Sequence, residues 1–446
     1  LVSKRFHLAG SGIDVPTSDL NDNLFPFQKA IVQWALKLGR AAVFADCGLG
    51  KSLIELEWAF HIPGNVLILT PLAVARQFVR EGHKFGIPCK VCRKQVDCEE
   101  GISIANYEML EHFDPSYFEG IVIDESSILK NYAGSTKQAI IDFAARIPFR
   151  LAATATPAPN DHMELGNHAE FLGVCSRTEM LSEYFVHDGG STSQWRLKGH
   201  AIDAFWGFVA SWAVTVRKPS DLGYSDAGYD LPPLFIHEHC IDFEMENNES
   251  LLPEARSMND QRRAKRASMA HRINTVAGIV AEHPQTPWLI WGELNDECDQ
   301  MEKIIPNAMQ IAGKHKTELK EALIEAFCDQ KLLDIVSKVK IMGHGLNLQH
   351  CHHMAFVGLT HSYEQVYQAI RRCWRFGQKH PVHVHFVYAP AEEPILRNLR
   401  RKEVEADKMQ SDMVRIVQMN HSARTTAMTN DYKAETPMRL PEWIIT

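Results

Sequence analysis

From residue 41 onward, short runs of apolar and β-branched residues alternate with longer stretches of helical spacing. The runs fall at residues 41–45, 66–69, 102–105, 121–123 and 151–153, and each is followed by a turn and a helix-like stretch. That rhythm predicts a parallel sheet with helices packed on its faces. It resumes at residues 288–291, 309–311, 333–336, 354–357 and 382–387, so two α/β lobes are expected. Between the two series, residues 175–230 break the pattern. Asp188-Gly189-Gly190-Ser191 is a loop signal, while Trp195, Phe205, Trp206 and Trp212 need burial, which together predict a helical insertion on the first lobe. Residues 253–283 read as one long charged helix leading into the second lobe, and residues 392–419 as a C-terminal helix.

Length and composition agree with this division. A chain of 446 residues exceeds one ordinary core, and 45% hydrophobic with 23% charged residues is the make-up of a folded chain and not of a disordered one. The formal net charge of -8 excludes a wholly basic nucleic-acid coat but leaves room for a local basic track. Such stretches occur at Arg262, Arg263, Lys265 and Arg266, at 371–379 and at 397–402; the first and third read equally well as solvated helix faces. Ten scattered cysteines suit a reducing compartment. Cys89, Cys92 and Cys98 contain one Cys-x-x-Cys but lack a fourth zinc ligand unless His83 supplies it. No apolar run approaches the roughly 18 residues of a membrane span. The opening Leu1-Val2-Ser3-Lys4 has no signal-peptide apolar region, so a cytoplasmic location is expected.

Two strings carry chemistry. Gly48-Leu49-Gly50-Lys51-Ser52 follows an apolar strand and opens a helix, the context of a phosphate-binding loop. There, backbone N–H groups converge on phosphate oxygens, Lys51 reaches the outer phosphates and Ser52 offers a hydroxyl to Mg2+. Ala45 stands where the common pattern begins with glycine. Ile121-Val122-Ile123-Asp124-Glu125 is an apolar strand ending in two acids, of which Asp124 suits the metal and Glu125 the attacking water. Further on, Arg372 and Arg375 lie three apart on an expected helix and would share a face, able to reach an anion held by the other lobe.

Between Phe25 and Gln378 the sequence resembles superfamily 2 helicases in chain order, most closely the Swi/Snf-type branch as found in phage-encoded DEAD/DEAH-like helicases. Phe27-Gln28 resembles the upstream glutamine motif, and Ala45 through Ser52 motif I. Leu69-Thr70-Pro71-Leu72 resembles motif Ia, and Asn106-Tyr107-Glu108 motif Ib with Asn substituted. Asp124-Glu125-Ser126-Ser127 with Lys130-Asn131 resembles motif II, and Thr154-Ala155-Thr156-Pro157 followed by Asn160 resembles motif III. Gly345-Leu346-Asn347-Leu348-Gln349 resembles motif V, and the stretch from Gln368 to Gln378 motif VI. Two departures stand out: Ser127 replaces the His that often ends motif II, and His344 sits where the Swi/Snf pattern has Gly.

The resemblance implies two RecA-like lobes: residues 1–174 as the first, 175–232 as insertion and linker, 233–390 as the second, and 391–446 as C-terminal helix and tail. It implies ATP and Mg2+ as cofactors, with Lys51, Asp124, Glu125, Arg372 and Arg375 catalytic and Ser52 and Asp124 on the metal. Gln28, Gly48, Gly50, Gly345 and Gln368 would bind the nucleotide. Pro71, Asn106 and Asn347 would contact nucleic acid, double-stranded DNA by preference, and Thr154 and Thr156 would couple the two events. The expected activity is an ATPase that translocates on DNA in a bacterial or phage-infected cell. A strand-separating DNA or RNA helicase shares every catalytic residue, and an ATP-gated scaffold without turnover is the reading from another class.

Overall fold

The computed structural model of the chain describes residues 12–71, 74–130, 135–158, 161–187, 195–242, 258–342 and 347–429. The first lobe runs α1 (Pro26–Leu38), β1 (Arg40–Ala45), α2 (Lys51–His61), β2 (Val66–Thr70), α3 (Ala75–Phe85), β3 (Cys89–Val91), β4 (Ile102–Asn106) and β5 (Gly120–Asp124). It continues through α4 (Ser135–Ala144), β6 (Phe149–Ala153), α5 (Leu165–Leu172), α6 (Arg177–Tyr184), β7 (Phe185–His187), β8 (Trp195–Leu197), α7 (Ile202–Ala210) and β9 (Ala213–Val216). The second lobe runs β10 (Leu234–Cys240), α8 (Met258–Ala267), α9 (Met269–Ala281), β11 (Trp288–Gly292), α10 (Asn295–Ile304), β12 (Met309–Ile311) and α11 (Thr317–Cys328). It ends with β13 (Asp334–Ser337), α12 (Val339–Met342), β14 (His353–Val357), α13 (Tyr363–Ile370), β15 (Val382–Tyr388) and α14 (Glu393–Thr429).

Among the described residues, the strands build a seven-stranded sheet in the order β3-β4-β2-β5-β6-β1-β9, a six-stranded sheet in the order β10-β15-β14-β11-β13-β12, and the hairpin β7-β8. Every pairing in the two large sheets is parallel. The expected two α/β lobes are present. Strands β2 and β5 are buried along their whole length, as parallel strands covered on both faces must be, which is why they read as continuous apolar runs. Helices close each face over its own core, one containing Phe44, Leu67 and Trp212, the other Phe27, Trp58 and Phe78. Among the described residues no helix is long and apolar enough to cross a membrane.

Residues 175–232 are more than an insertion. After α6, the β7-β8 hairpin and α7, the chain returns to the sheet as β9, pairing Ala42 with Ala213 through Ala45 with Val216. Phe205, Trp206 and Trp212 are buried in the first-lobe core, where the aromatic demand of this segment is met. The expected single helix over 253–283 is two, α8 and α9, with residues 253–257 outside the described ones. Ser268 marks the break: its buried hydroxyl bonds back to the Lys265 carbonyl (3.3 Å) and accepts from Arg272 Nε (3.2 Å), competing with the helical ladder. The basic stretch around it is not all solvated. Lys265 is buried, donates to Leu359 O (2.7 Å) and pairs with Glu392 (3.5 Å) and Glu293. Beside it, Arg272 and Glu297 form a fully buried pair at 2.8 Å.

Helix α14 is longer than the sequence predicts and serves both lobes. Ile395, Leu396 and Leu399 near its start belong to the second-lobe core, whereas Met409 and Met413 are buried in the first-lobe core. Between these, Gln410 Nε2 donates to the Ala155 carbonyl (3.4 Å).

Candidate active site

The first lobe supplies a loop at the C-terminal edge of its sheet. Strand β1 ends at Ala45, the Asp46 N–H bonds to Val216 O (2.9 Å) across to β9, and Gly48 (φ +92°) and Gly50 (φ +77°) turn the chain into α2 at Lys51. Both glycines adopt the left-handed conformation that side chains resist. Gly48 is also needed for space, since a Cβ there would lie 2.9 Å from Phe376 N and 3.5 Å from Arg375 Cβ of the second lobe. Ala45 lies in regular strand without positive φ, so a glycine has no work to do at that position. Lys51 Nζ donates to Ala45 O (3.2 Å), folding back over the loop.

The adjacent strand β5 delivers the acids. Asp124 is buried, with one oxygen accepting from Thr70 Oγ1 (2.7 Å), while the Tyr107 hydroxyl donates to its backbone carbonyl. Glu125 follows in a left-handed conformation, φ +53°, a strained backbone for a side-chain-bearing residue of the kind that collects at working sites. Its carboxylate accepts from Thr154 Oγ1 at 3.4 Å. Burial and the neighbouring Glu125 push the Asp124 carboxyl up to about 7, even though Thr70 and Lys51 pull it down. Burial alone would lower Lys51, but Glu125, Cys47, Asp124 and Glu55 hold its ammonium above the usual lysine range. Glu55, one turn along α2, is fully buried with neither carboxylate oxygen hydrogen-bonded, and burial and Asp124 drive it well above the carboxylate range. Three acids thus face one lysine. The raised Asp124 and Glu55 carboxyls mark a place where a cation is favoured, and the hard oxygen donors of Ser52 and Asp124 fit Mg2+, which would stabilise the ionised acids and draw in phosphate oxygens.

Opposite stands the second lobe. Helix α13 ends at Ile370, so Arg372 and Arg375 sit in the turn beyond it and not on the helix predicted from their spacing. The turn still aims both at the loop. They line, with Gly48, Gly50, Lys51, Ser52, Asp124 and Glu125, a cleft of about 420 Å³ between the lobes. Burial lowers both guanidinium pKa values, Arg375 being lowered further by Arg372, so each gains from a nearby anion. At the far end of the cleft, Phe25, Tyr229 and Phe376 form an aromatic wall, Tyr229 and Phe376 at 4.7 Å and Phe25 and Tyr229 at 5.5 Å between centroids. Gln28 lies beside it. Its Nε2 donates to Leu49 O (2.8 Å) and its Oε1 accepts from Phe25 N (2.9 Å), leaving one donor and one lone pair for a base edge.

Residues 271–377 match the helicase conserved C-terminal domain, a span running from α9 to the turn that carries Arg372 and Arg375. The match supports a member of helicase superfamily 1 or 2, whose members use ATP, usually with Mg2+, and bind nucleic acid. No curated protein matches the chain.

Within the matched span, α13 touches the first lobe at both ends. Near its start Glu364 accepts from Thr156 Oγ1 (3.3 Å) and pairs with Lys130; near its end Tyr367 and Arg371 reach Asp46. Thr154, bonded to Glu125, and Thr156, bonded to Glu364, therefore lie between the acids and the second lobe. Gln368 is buried within α13, its side-chain amide has no hydrogen-bond partner among the described residues, and it does not line the cleft. Pro71 and Asn106 flank each other at the ends of β2 and β4, where Thr70 and Asn106 are in register. The Asn106 amide is held by Glu108. Asn347 is exposed beside the turn of Arg372, whose carbonyl accepts from Leu348 N (3.1 Å). Leu72, Asn131, Asn160, His344 and Gly345 lie outside the described residues. The sequence reading named Thr70, Tyr107 and Arg371 only as members of motif stretches, without a role of their own, and it missed Tyr229 and Glu364.

Proposed function

We propose that the chain is a nucleic-acid-dependent ATPase of the Swi/Snf-like kind that translocates on double-stranded DNA. The observation that carries this reading is the shared cleft, in which Lys51, Asp124 and Glu125 of one lobe meet Arg372 and Arg375 of the other. Glu125 deprotonates or orients the attacking water, Lys51 and the two arginines stabilise charge on the transferring phosphoryl group, and hydrolysis depends on lobe closure. Closure and release then move one lobe relative to the other along the DNA backbone.

The DNA track is supported by the C-terminal edges of both sheets. In the second lobe a cleft of about 560 Å³ is lined by Arg266, Lys338, Lys340 and His361 with the ends of β11 and β14. Pro71 and Asn106 hold the corresponding edge of the first lobe. Such contacts fall on phosphates, so binding is expected to tolerate sequence changes and to weaken steeply with salt.

The test compares displacement of a triplex strand, which reports movement along duplex, with unwinding of a forked duplex, using Arg375→Ala as the inactive control. Triplex displacement without efficient fork unwinding is expected, because a motor gripping phosphates need not pay the roughly 1.4 kcal/mol of stacking per base-pair step. The reverse result favours a strand-separating helicase. That second reading has one structural support, the β7-β8 hairpin, whose paired His187 and Trp195 rings lie 3.6 Å apart between centroids. In that case Trp195→Ala lowers fork unwinding while ATP turnover persists.

A further inference from the structure

Three arginines follow one another within five residues at the end of α13, yet they face different partners. Arg372 and Arg375 line the cleft; Arg371 does not. Arg371 instead donates through NH2 to Asp46 Oδ2 (2.7 Å) and to the Cys47 carbonyl (2.8 Å), both in the first lobe. One helical turn earlier, the Tyr367 hydroxyl donates to the other Asp46 oxygen, which also accepts from the Cys47 N–H (2.6 Å). The Cys47 peptide is thus held at both ends. Its N–H is held by a carboxylate that the second lobe orients, and its C=O by a guanidinium that the second lobe delivers. Arg371 is buried and Asp46 half-buried, and the Trp374 ring lies 5.0 Å from the guanidinium with its Nε1 anchored to Pro232 O (2.7 Å) in the segment joining the lobes.

We propose that Arg371 and Tyr367 form a latch across the lobes that fixes the Cys47 peptide, and with it the shape of the loop preceding Lys51, only when the lobes are closed. The assignment of that loop to phosphate rests on the proposed ATPase function; the latch itself does not. Cys47 immediately precedes Gly48, where an added Cβ would lie 2.9 Å from Phe376 N, so the latch sets the loop where the lobes meet. Opening the lobes leaves Asp46 without Arg371 and Tyr367 and frees the loop to relax. Arg371 is therefore a positioning residue, distinct from its two neighbours. Buried charge pairs lose most when a single partner is removed, which makes the effect measurable.

The experiment uses the full chain. Hydrogen exchange of the segment 45–50 is measured without nucleotide for wild type, Arg371→Ala, Tyr367→Phe and the exchanged pair Asp46→Arg with Arg371→Asp. Exchange at Cys47 is expected to accelerate about ten-fold or more in Arg371→Ala, since a charge-assisted bond is lost. Tyr367→Phe, which keeps the ring and its packing, should produce a smaller acceleration, and the exchanged pair should stay unprotected, because Asp46→Arg removes the carboxylate that accepts from the Cys47 N–H and Arg371→Asp removes the donor to its carbonyl. In parallel, ATP turnover with duplex DNA should show KM raised about ten-fold in Arg371→Ala with a smaller fall in kcat, whereas Arg375→Ala lowers kcat. Unchanged exchange in both folded single variants overturns the latch. A fall in kcat at constant KM in Arg371→Ala also overturns it, placing Arg371 with its catalytic neighbours. A wild-type chain that shows the exchange pattern but no turnover supports the latch and refutes the ATPase reading.

Discussion

Lys51→Ala is expected to reduce ATP turnover about a thousand-fold or more, to background, while the chain remains folded. The ammonium faces Asp124, Glu125 and Glu55, and its removal leaves three acids around the space where phosphates would enter. Binding and hydrolysis should fall together, because repulsion acts on the bound nucleotide as well as on the transition state. The fold should persist, because among the described residues the Lys51 ammonium donates to one backbone carbonyl, that of Ala45 at the end of β1. Glu125→Gln is the informative contrast. It keeps the shape and the Thr154 contact but removes the base, so ATP binding should survive while turnover drops by about 10²- to 10⁴-fold. A fluorescent-nucleotide titration beside a phosphate-release assay separates the two. Normal turnover in folded Lys51→Ala would remove the loop from the chemistry, and joint loss of binding and turnover in Glu125→Gln would make Glu125 structural.

The largest stability effect is expected in the second lobe. Glu297→Ala should destabilise it by about 3–5 kcal/mol, because the fully buried Arg272 then keeps its charge without its closest partner. The same carboxylate also accepts from the N–H groups of Glu293 and Leu294, both at 2.9 Å, so the start of α10 loses its cap as well. Arg401→Ala breaks the exposed pair with Glu405 on α14 and should cost about 0.5 kcal/mol or less. Urea unfolding of both variants checks the contrast. Equal costs would show that the Arg272 network contributes no more than a surface pair.

Most of the sheet framework could be read from the chain because buried parallel strands are continuous apolar runs closed by turns; β1, β2, β5, β11 and β14 all have that form. The strands that escaped are those lacking it. β3 has three residues and only partial burial, and β10 places its residues on an outer edge where Leu234–Cys240 mixes Phe and Ile with His and Glu. Residues 213–216 are apolar, but pairing with β1 is a long-range event that no local pattern encodes. The cleft divides in the same way. Lys51, Ser52, Asp124 and Glu125 follow from local spacing, because one strand end and one helix start position them. The separation of Arg371 from Arg372 and Arg375 depends on where α13 stops, and spacing alone placed Arg372 and Arg375 on a helix. Tyr229 and Glu364 reach the site from elsewhere in the fold, with nothing in their neighbours to announce it.

The path of α14 has a mechanical consequence. The chain leaves the first lobe once, through the segment after β9, and comes back to it when Met409 and Met413 enter the first-lobe core. Two bodies joined by a single strap can slide, twist and separate; joined at two places they behave like a door on two hinges. What remains is a swing about the line between the attachments. Along such an arc the turn bearing Arg375 would meet Gly48 at one angle only, so the proposed closure would repeat one alignment each time.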